Sequence, residues 1–483
     1  MELHKDKLGL VGLTAIVFGS IIGGAVYNLP QNLASVSAIG PSILSWCITG
    51  AGILFLALTF KILADKRPDL NSGIYQYAEE GFGNYIGFNM AWGYWMAAAM
   101  GNVALAVLLN DAFGYFFPVL LNHGIETILF GSCFIWIMFF IVSAGIRGAS
   151  IINTVISILK FLSITLIIGI LLTHDKTHLW EGDFWGKSQN IGTIADQIRN
   201  SMFITLWAFI GIEGAVIVAN RARKKSDVGK ASVIGFLCSL VIYLLISTLS
   251  YGALPRAEMA TLPDPSIGYV LKALVGQWGI VYIACAVIVS LLGGWISWTI
   301  IVSEVPSTAA RLKIMPRFLA HENKNESPTY ALFCSSILME LFMIMVVTAS
   351  NVYIAAITLT GVMILPTYLF SGLFLLKSIQ NKSITFDSRK SAIGNSMIAI
   401  MAIVFCIWLL YAAGWQLIMM SSIVYTIGLI VYLIARKENT SRIKDQQLEK
   451  ARVFTITEFG LALVLVILAV ASAILLFTGV FTI

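Results

Sequence analysis

Glu213 stands where a carboxylate has no ordinary reason to be. It lies in an apolar segment from about Met202 to Ala219, in the run Trp207-Ala208-Phe209-Ile210-Gly211-Ile212-Glu213-Gly214, bracketed by Gly211 and Gly214. A charge near the middle of a membrane-spanning helix costs roughly 2.5 to 3.5 kcal/mol on insertion scales, so such a residue implies a function. The flanking glycines loosen the helix, and broken backbone at membrane depth survives only where protein or a watery cavity satisfies its polar groups. The stretch therefore reads as one wall of a buried site for something cationic. Lys160 is a second charge inside an apolar segment. At 1.5 Å per residue, both charges sit roughly 12 to 14 Å from the same membrane face, a depth that permits coupling. The alternative for the lysine is snorkelling to the interface. Glu340 and Asp111 read more simply, as a helix contact and a span end.

A second glycine-interrupted segment supplies complementary chemistry. Gly19-Ser20-Ile21-Ile22-Gly23-Gly24-Ala25 precedes Pro30. Unwinding at Gly23-Gly24 exposes N–H groups at the start of a half-helix, where free donors and the positive end of the helix dipole suit a carboxylate. Carbonyls freed around Phe209 to Gly211 suit an ammonium. Together they describe a receptor for an α-amino acid. Trp207 and Trp295, the latter after Gly293-Gly294, can offer aromatic faces to a cationic side chain, an attraction of roughly 0.5 to 2 kcal/mol. Core packing accounts equally well for both tryptophans, and for the first glycine cluster taken alone.

The elements that must position these groups are membrane helices. Of 483 residues, 58% are hydrophobic and 12% charged, with a mean hydropathy of +0.87, far from the balance of a soluble domain. Apolar runs long enough to span fall near 8–34, 41–63, 83–109, 125–146, 151–173, 200–220, 229–252, 276–303, 329–348, 352–376, 392–410, 413–435 and 456–480. That predicts an all-α polytopic membrane protein with about thirteen transmembrane helices. On this division, 25 of the 31 Lys and Arg residues fall on the side of the N-terminus, 5 fall opposite, and Lys160 lies within a span. The positive-inside rule then makes the N-terminus cytoplasmic and retains residues 1–7, since no signal-peptide cleavage pattern follows. The densest basic run, Arg221 to Lys225, reads as attraction to anionic headgroups rather than to nucleic acid. Connection 174–199, with Trp180 and Trp185, reads as interfacial. A short amphipathic helix is expected in 304–328 and a helical tether in 436–455.

The two interrupted spans are five apart and enter from opposite faces. That is the pointer to a five-plus-five inverted repeat with substrate at the paired breaks. The expected division is a ten-helix transport core over residues 1–380 and additional transmembrane helices over 381–483. Six cysteines scattered in apolar runs read as small hydrophobes. No metal-ligand cluster, nucleophile–base pair or phosphate loop occurs, and all five histidines lie outside the spans, so neither an enzyme nor a cofactor is expected. A membrane sensor that binds without flux is a further class, although no appended soluble domain supports it.

Gly19-Ser20-Ile21-Ile22-Gly23-Gly24, Gly81-Phe82-Gly83, Trp92-Gly93-Tyr94-Trp95, Gly101-Asn102, Trp207 to Glu213 and Gly293-Gly294-Trp295, in this order, resemble the amino acid/polyamine/organocation superfamily over roughly Leu8 to Ala435. Within it the chain is most similar to basic amino acid antiporters of the arginine/ornithine and arginine/agmatine type. The resemblance implies exchange of an external cationic amino acid for its internal product, with no chemical step. It also implies that Ile22, Gly23, Gly24 and Ala25 meet the substrate carboxylate, that Asn102 hydrogen-bonds its polar groups, that Trp207 and Ile210 line the side-chain pocket, and that Trp295 packs against the substrate. Glu213 would couple to pH or to the cationic state. Lys160 would stand where sodium-coupled relatives bind the ion, which argues against sodium coupling. Histidine/histamine or lysine/cadaverine exchange and proton-coupled uptake remain open. The partners expected are amino acid and amine substrates and the lipid bilayer of the cell membrane, with a homodimer allowed.

Overall fold

The structure is a computed structural model that describes residues 7–122, 124–174, 183–188, 190–347, 352–443, 454–478 and 481. Trp180 and residues 444–453 of the expected tether lie outside the described residues. The chain begins with α1 (Leu10–Ile21), α2 (Ala25–Val36), α3 (Ile39–Lys66), the short α4 (Ile74–Phe82) and α5 (Asn84–Gly114). Next come α6 (Ile125–Ser143), α7 (Ile146–Thr173), α8 (Ile194–Ala208), α9 (Gly214–Ile217) and α10 (Ser226–Ala253). Two short helices, α11 (Arg256–Met259) and α12 (Ser266–Val275), lead into α13 (Gln277–Arg311). The chain ends with α14 (Thr329–Val347), α15 (Val352–Gln380), α16 (Arg389–Ala413), α17 (Trp415–Ile443) and α18 (Ile456–Phe477).

Among the described residues the fold is all-helical, with one isolated parallel β-bridge between Leu8 and Ala222. Among the described residues eleven segments are long and apolar enough to cross a membrane, the pair α1–α2 counting as one. The two other expected spans fall short of that measure for different reasons. The segment at 194–217 is cut into pieces of 15 and 4 residues by the break at 209–213, and the apolar helix in the ninth position is short, at Thr329–Met345. The helix expected in 304–328 is only a 3₁₀ turn, Arg317–Ala320, because α13 itself runs on to Arg311.

Two ends of the bundle can be told apart by contacts. At one, Leu8 pairs with Arg221 to Arg223, and Ser327 donates to the carbonyl of Val142 at 2.8 Å. We call this the N-terminal end. At the far end, the Ala38 N–H donates to Gln197 Oε1 at 2.9 Å, tying the α2–α3 turn to the first turn of α8. The capping box of Thr193 and Asp196 sets where α8 begins. It follows that α1–α2 and α8–α9 run antiparallel, each broken between the two ends. Burial separates centre from rim: 78% of the apolar window is buried in α1–α2 and in α5, against 28% in α16 and α17 and 17% in α18.

Candidate functional site

The first break is made by three residues that cannot all keep helical hydrogen bonds. Ile22 leaves the helical region at φ −79°, ψ 80°, and the Gly23 N–H turns back to the Ile21 carbonyl at 2.9 Å instead of the residue four before it. The helix restarts at Ala25. Among the described residues, the N–H groups of Gly24, Ala25 and Val26 take no backbone acceptor, as the first turn of a helix dictates. α13 packs directly on this break. A Cβ on Gly294 would lie 3.3 Å from the Gly19 carbonyl oxygen and 3.5 Å from Gly23 Cα, so no larger residue fits without displacing backbone.

The carbonyls on the other side of the break are each met by a different side chain. Trp298 Nε1 donates to Ser20 O at 3.1 Å, Tyr243 OH to Ile21 O at 2.6 Å, the Lys160 ammonium to Ile22 O, and Ser290 Oγ to Gly23 O at 3.2 Å. Four consecutive carbonyls are thus satisfied from α13, α10, α7 and α13 in turn, which allows unwound backbone to persist in a bilayer. The acceptors are used up while the donors are not. Free donors at the start of a helix are the arrangement that suits an anion.

The second break turns on Gly211, whose φ of +112° is a conformation that side chains rarely adopt. Its carbonyl accepts from Ser20 Oγ at 2.9 Å, joining the two breaks directly. Tyr243 OH lies 3.0 Å from the Ala208 carbonyl at the end of α8 as well as 2.6 Å from that of Ile21, so its single proton sits between the carbonyls that end the two half-helices. The Ile210 carbonyl takes no backbone or side-chain donor among the described residues, a position suited to an ammonium. Glu213 follows at the start of α9, fully buried, and its two carboxylate oxygens accept one from Tyr94 OH and the other from Tyr368 OH. It faces protein on all sides rather than lipid.

The remaining sequence-derived residues surround the same place. Asn102 on α5 is fully buried and donates to Ala98 O at 2.8 Å, while its Oδ1 has no partner. Trp295 is fully buried, its indole stacked on Phe134 with centroids 6.1 Å apart and its Nε1 without an acceptor. Trp207, half-buried, ends α8, and Ile210 is buried in the break. Lys160 and Glu213 are not brought together: the lysine reaches the first break, the carboxylate two tyrosines. Glu340 accepts from Ser132 at 2.6 Å, a helix contact, and Asp111 lies within the last turn of α5. The four connectors Tyr94, Tyr243, Trp298 and Tyr368 did not come out of sequence reasoning as site residues. Tyr94 sits in the Trp92-Gly93-Tyr94-Trp95 cluster, but Tyr243 and Tyr368 are lone hydroxyls in apolar runs and carry no local signal.

Toward the N-terminal end lies a buried ion pair. Arg221 bonds Glu304, fully buried on α13, at 2.8 Å and also reaches Glu322, which Arg311 holds at 2.7 Å. Leu8 seals the same level, with its N–H on Arg221 O and its carbonyl on Arg223 N–H, both at 2.8 Å.

Residues 8–435 match the family described as amino acid permease. The chain belongs to this family. The permease is therefore a multi-pass membrane transporter of amino acids, not an enzyme. A Clostridium perfringens protein described as a candidate amino-acid transporter is 40% identical over 486 residues, covering 98% of this chain and 99% of its own. An arginine/agmatine antiporter of Chlamydia pneumoniae is 43% identical over 443 residues, 90% of this chain and 91% of its own, and one of Chlamydia caviae is 40% identical with the same coverage. In fold the permease is similar to MhsT, solved in complex with L-phenylalanine, at a TM-score of 0.59 and 12% identity over 83% of this chain and 98% of that one.

Proposed function

We propose that the permease is an antiporter that exchanges an external cationic amino acid for its internal product, with arginine and agmatine as the pair. The single observation that carries the receptor part is the division of labour at the first break: four carbonyls capped, three N–H groups left for a carboxylate. Support for the substrate pair comes from the names of the Chlamydia relatives. In this reading the substrate carboxylate sits on the free N–H groups of Gly24, Ala25 and Val26, beside Ile22 and Gly23, and its ammonium on the Ile210 carbonyl. Asn102 meets its polar groups through the vacant Oδ1. Trp207, Ile210 and Trp295 line the pocket of the cationic side chain. Glu213 couples protonation to the state of the second break, and Lys160 occupies the Ile22 carbonyl in place of a sodium ion.

The same reading makes residues 1–380 an inverted repeat of five and five crossings, with the three peripheral helices of 381–483 outside it. All thirteen helical passages then cross a cell membrane, the N-terminus is cytoplasmic, and a homodimer is compatible with the lipid-facing rim. Glu213 held by two tyrosines favours one second reading, a proton-coupled uniporter or symporter, since protonation of a buried carboxylate reorganises both hydroxyls. Counterflow separates these. Vesicles loaded with agmatine should take up labelled arginine faster than empty ones, and a panel adding ornithine, lysine, cadaverine, histidine and histamine ranks the pair. Uptake indifferent to every internal substrate, but driven by a pH gradient into empty vesicles, replaces exchange by the second reading.

A further inference from the structure

We infer that the cleft between α1, α7 and α10 is a binding site for one anionic phospholipid, with an acyl chain in the cleft and the phosphate on a basic rim of Lys7, Arg223 and Lys230. The cleft has a volume of about 450 Å³ and lies along the membrane-spanning part of the three helices. It opens sideways, because Val11, Ile158, Leu162 and Ile234 on its walls are 70, 56, 59 and 41% exposed. Its deep end is stopped by Phe18 against Phe161, rings 6.1 Å apart edge to face. A concave apolar slot at that depth suits a hydrocarbon chain and nothing charged.

The rim follows from the helical repeat. Ile234 and Cys238 mark the stripe of α10 that lines the cleft, and four residues earlier on that stripe stands Lys230, exposed. Val11 opens the α1 stripe, and Lys7 lies just before that helix, beside the Leu8–Ala222 bridge and in electrostatic reach of Lys225. The bridge between Leu8 and Ala222 brings Arg223 and Lys224, both exposed, to the foot of α1. Arg221 is already engaged by Glu304 and Glu322. Burial, and then the neighbouring charge of Lys7, hold the Lys225 ammonium below its usual range, so the cations crowd one another here. Asp227, in the first turn of α10, is an acid beside this rim. An incoming phosphate relieves that crowding. Free phosphate would use the rim alone, whereas a phospholipid uses the rim and the slot together.

The site touches the transport machinery through α1. Ser157, on the cleft wall, donates to Ala15 O at 3.4 Å, and the same half-helix ends six residues later, at Ile21 before the first break. A bound chain therefore braces the piece of α1 whose end forms the proposed carboxylate site.

The test is native mass spectrometry of the full-length detergent-purified protein, given equal amounts of dioleoyl phosphatidylglycerol and dioleoyl phosphatidylcholine. One retained phosphatidylglycerol is expected. Lys230→Gln and Arg223→Gln should each lower its retention about fivefold, the ~1 kcal/mol that a cation at the surface contributes. Ile234→Trp and Ile158→Trp, which fill the slot from two helices, should remove it, while Leu166→Trp on the lipid-facing side of α7 should not. Equal retention of the two lipids, retention in both slot-filling variants, or displacement by glycerol 3-phosphate would each overturn the inference.

Discussion

The Ser20 hydroxyl lies 2.9 Å from the Gly211 carbonyl, 191 residues away in the chain. Two helices that enter from opposite ends are thereby locked at their weakest points. A Cβ added at Gly211 would fall 2.8 Å from Ser20 Cβ and would force a side chain onto a φ of +112°. Gly211→Ala should therefore lower counterflow at least about tenfold, since strain of this kind costs ~1 to 3 kcal/mol. Rates are compared per monodisperse protein, so that misfolding is not counted as lost transport. Ser20→Ala should cost less, because Ser20 also reaches its own helix at Ile16 O and Val17 O and leaves no strained backbone.

Glu213 is the one carboxylate set between two hydroxyl donors in the second break. Glu213→Gln keeps an acceptor for one tyrosine and removes the ability to gain or lose a proton. The expected outcome is transport whose dependence on pH is flattened, with the folded yield little changed. Tyr368→Phe should shift the profile without flattening it, because the titrating group remains. An unaltered profile in Glu213→Gln would assign pH sensing elsewhere.

The sequence reveals the helices and both breaks, because twenty-residue apolar runs and glycine pairs are local signals that survive without tertiary information. Gly211, Gly294 and Glu213 were legible for the same reason. Tyr243, Tyr368, Trp298 and Ser290 were not, since a hydroxyl or indole in an apolar run looks alike whether it packs or caps a distant carbonyl. Lys160 shows the boundary between the two. Its depth could be counted along the helix, but its partner, the Ile22 carbonyl, depends on how α7 lies against α1.

Lys160 supplies its charge to a backbone carbonyl that would otherwise be orphaned at membrane depth. Lys160→Met should raise the KM for arginine and lower thermal stability by ~1 to 3 kcal/mol, the penalty for an unsatisfied buried acceptor. Replacing sodium by choline should leave uptake by the parent protein unchanged. A sodium-driven parent would remove the role given to this lysine.

The loop after α3 bears on pH in a different range. Hydrogen bonds from Arg67, at 2.7 to 3.1 Å, hold the Asp69 carboxyl below its ordinary value, with burial opposing. A lowered folded pKa contributes stability above the unfolded value of about 3.9 and loses it as pH falls further. Between about pH 5 and 8 the pair is fully ionised and its contribution constant. Asp69→Asn should therefore leave the transport profile unchanged over that range, which removes this pair as a source of pH dependence there.

Arg221 and Glu304 form a buried pair toward the N-terminal end, with side chains 13% and 0% exposed. Removing one partner of such a pair leaves a buried charge without compensation, at a cost of ~3 to 5 kcal/mol, whereas replacing both by apolar residues is often neutral. Arg221→Leu alone should drive this end open, so that a cysteine at Ser307, buried one turn beyond Glu304 on α13, becomes reactive to a membrane-impermeant thiol reagent from the N-terminal side. Adding Glu304→Leu should restore protection of that cysteine. The double variant should also exchange slowly, because a closure held by apolar contact alone no longer has a charge pair to release. Equal reactivity in the parent, the single and the double variant would show that this pair does not govern access from that end.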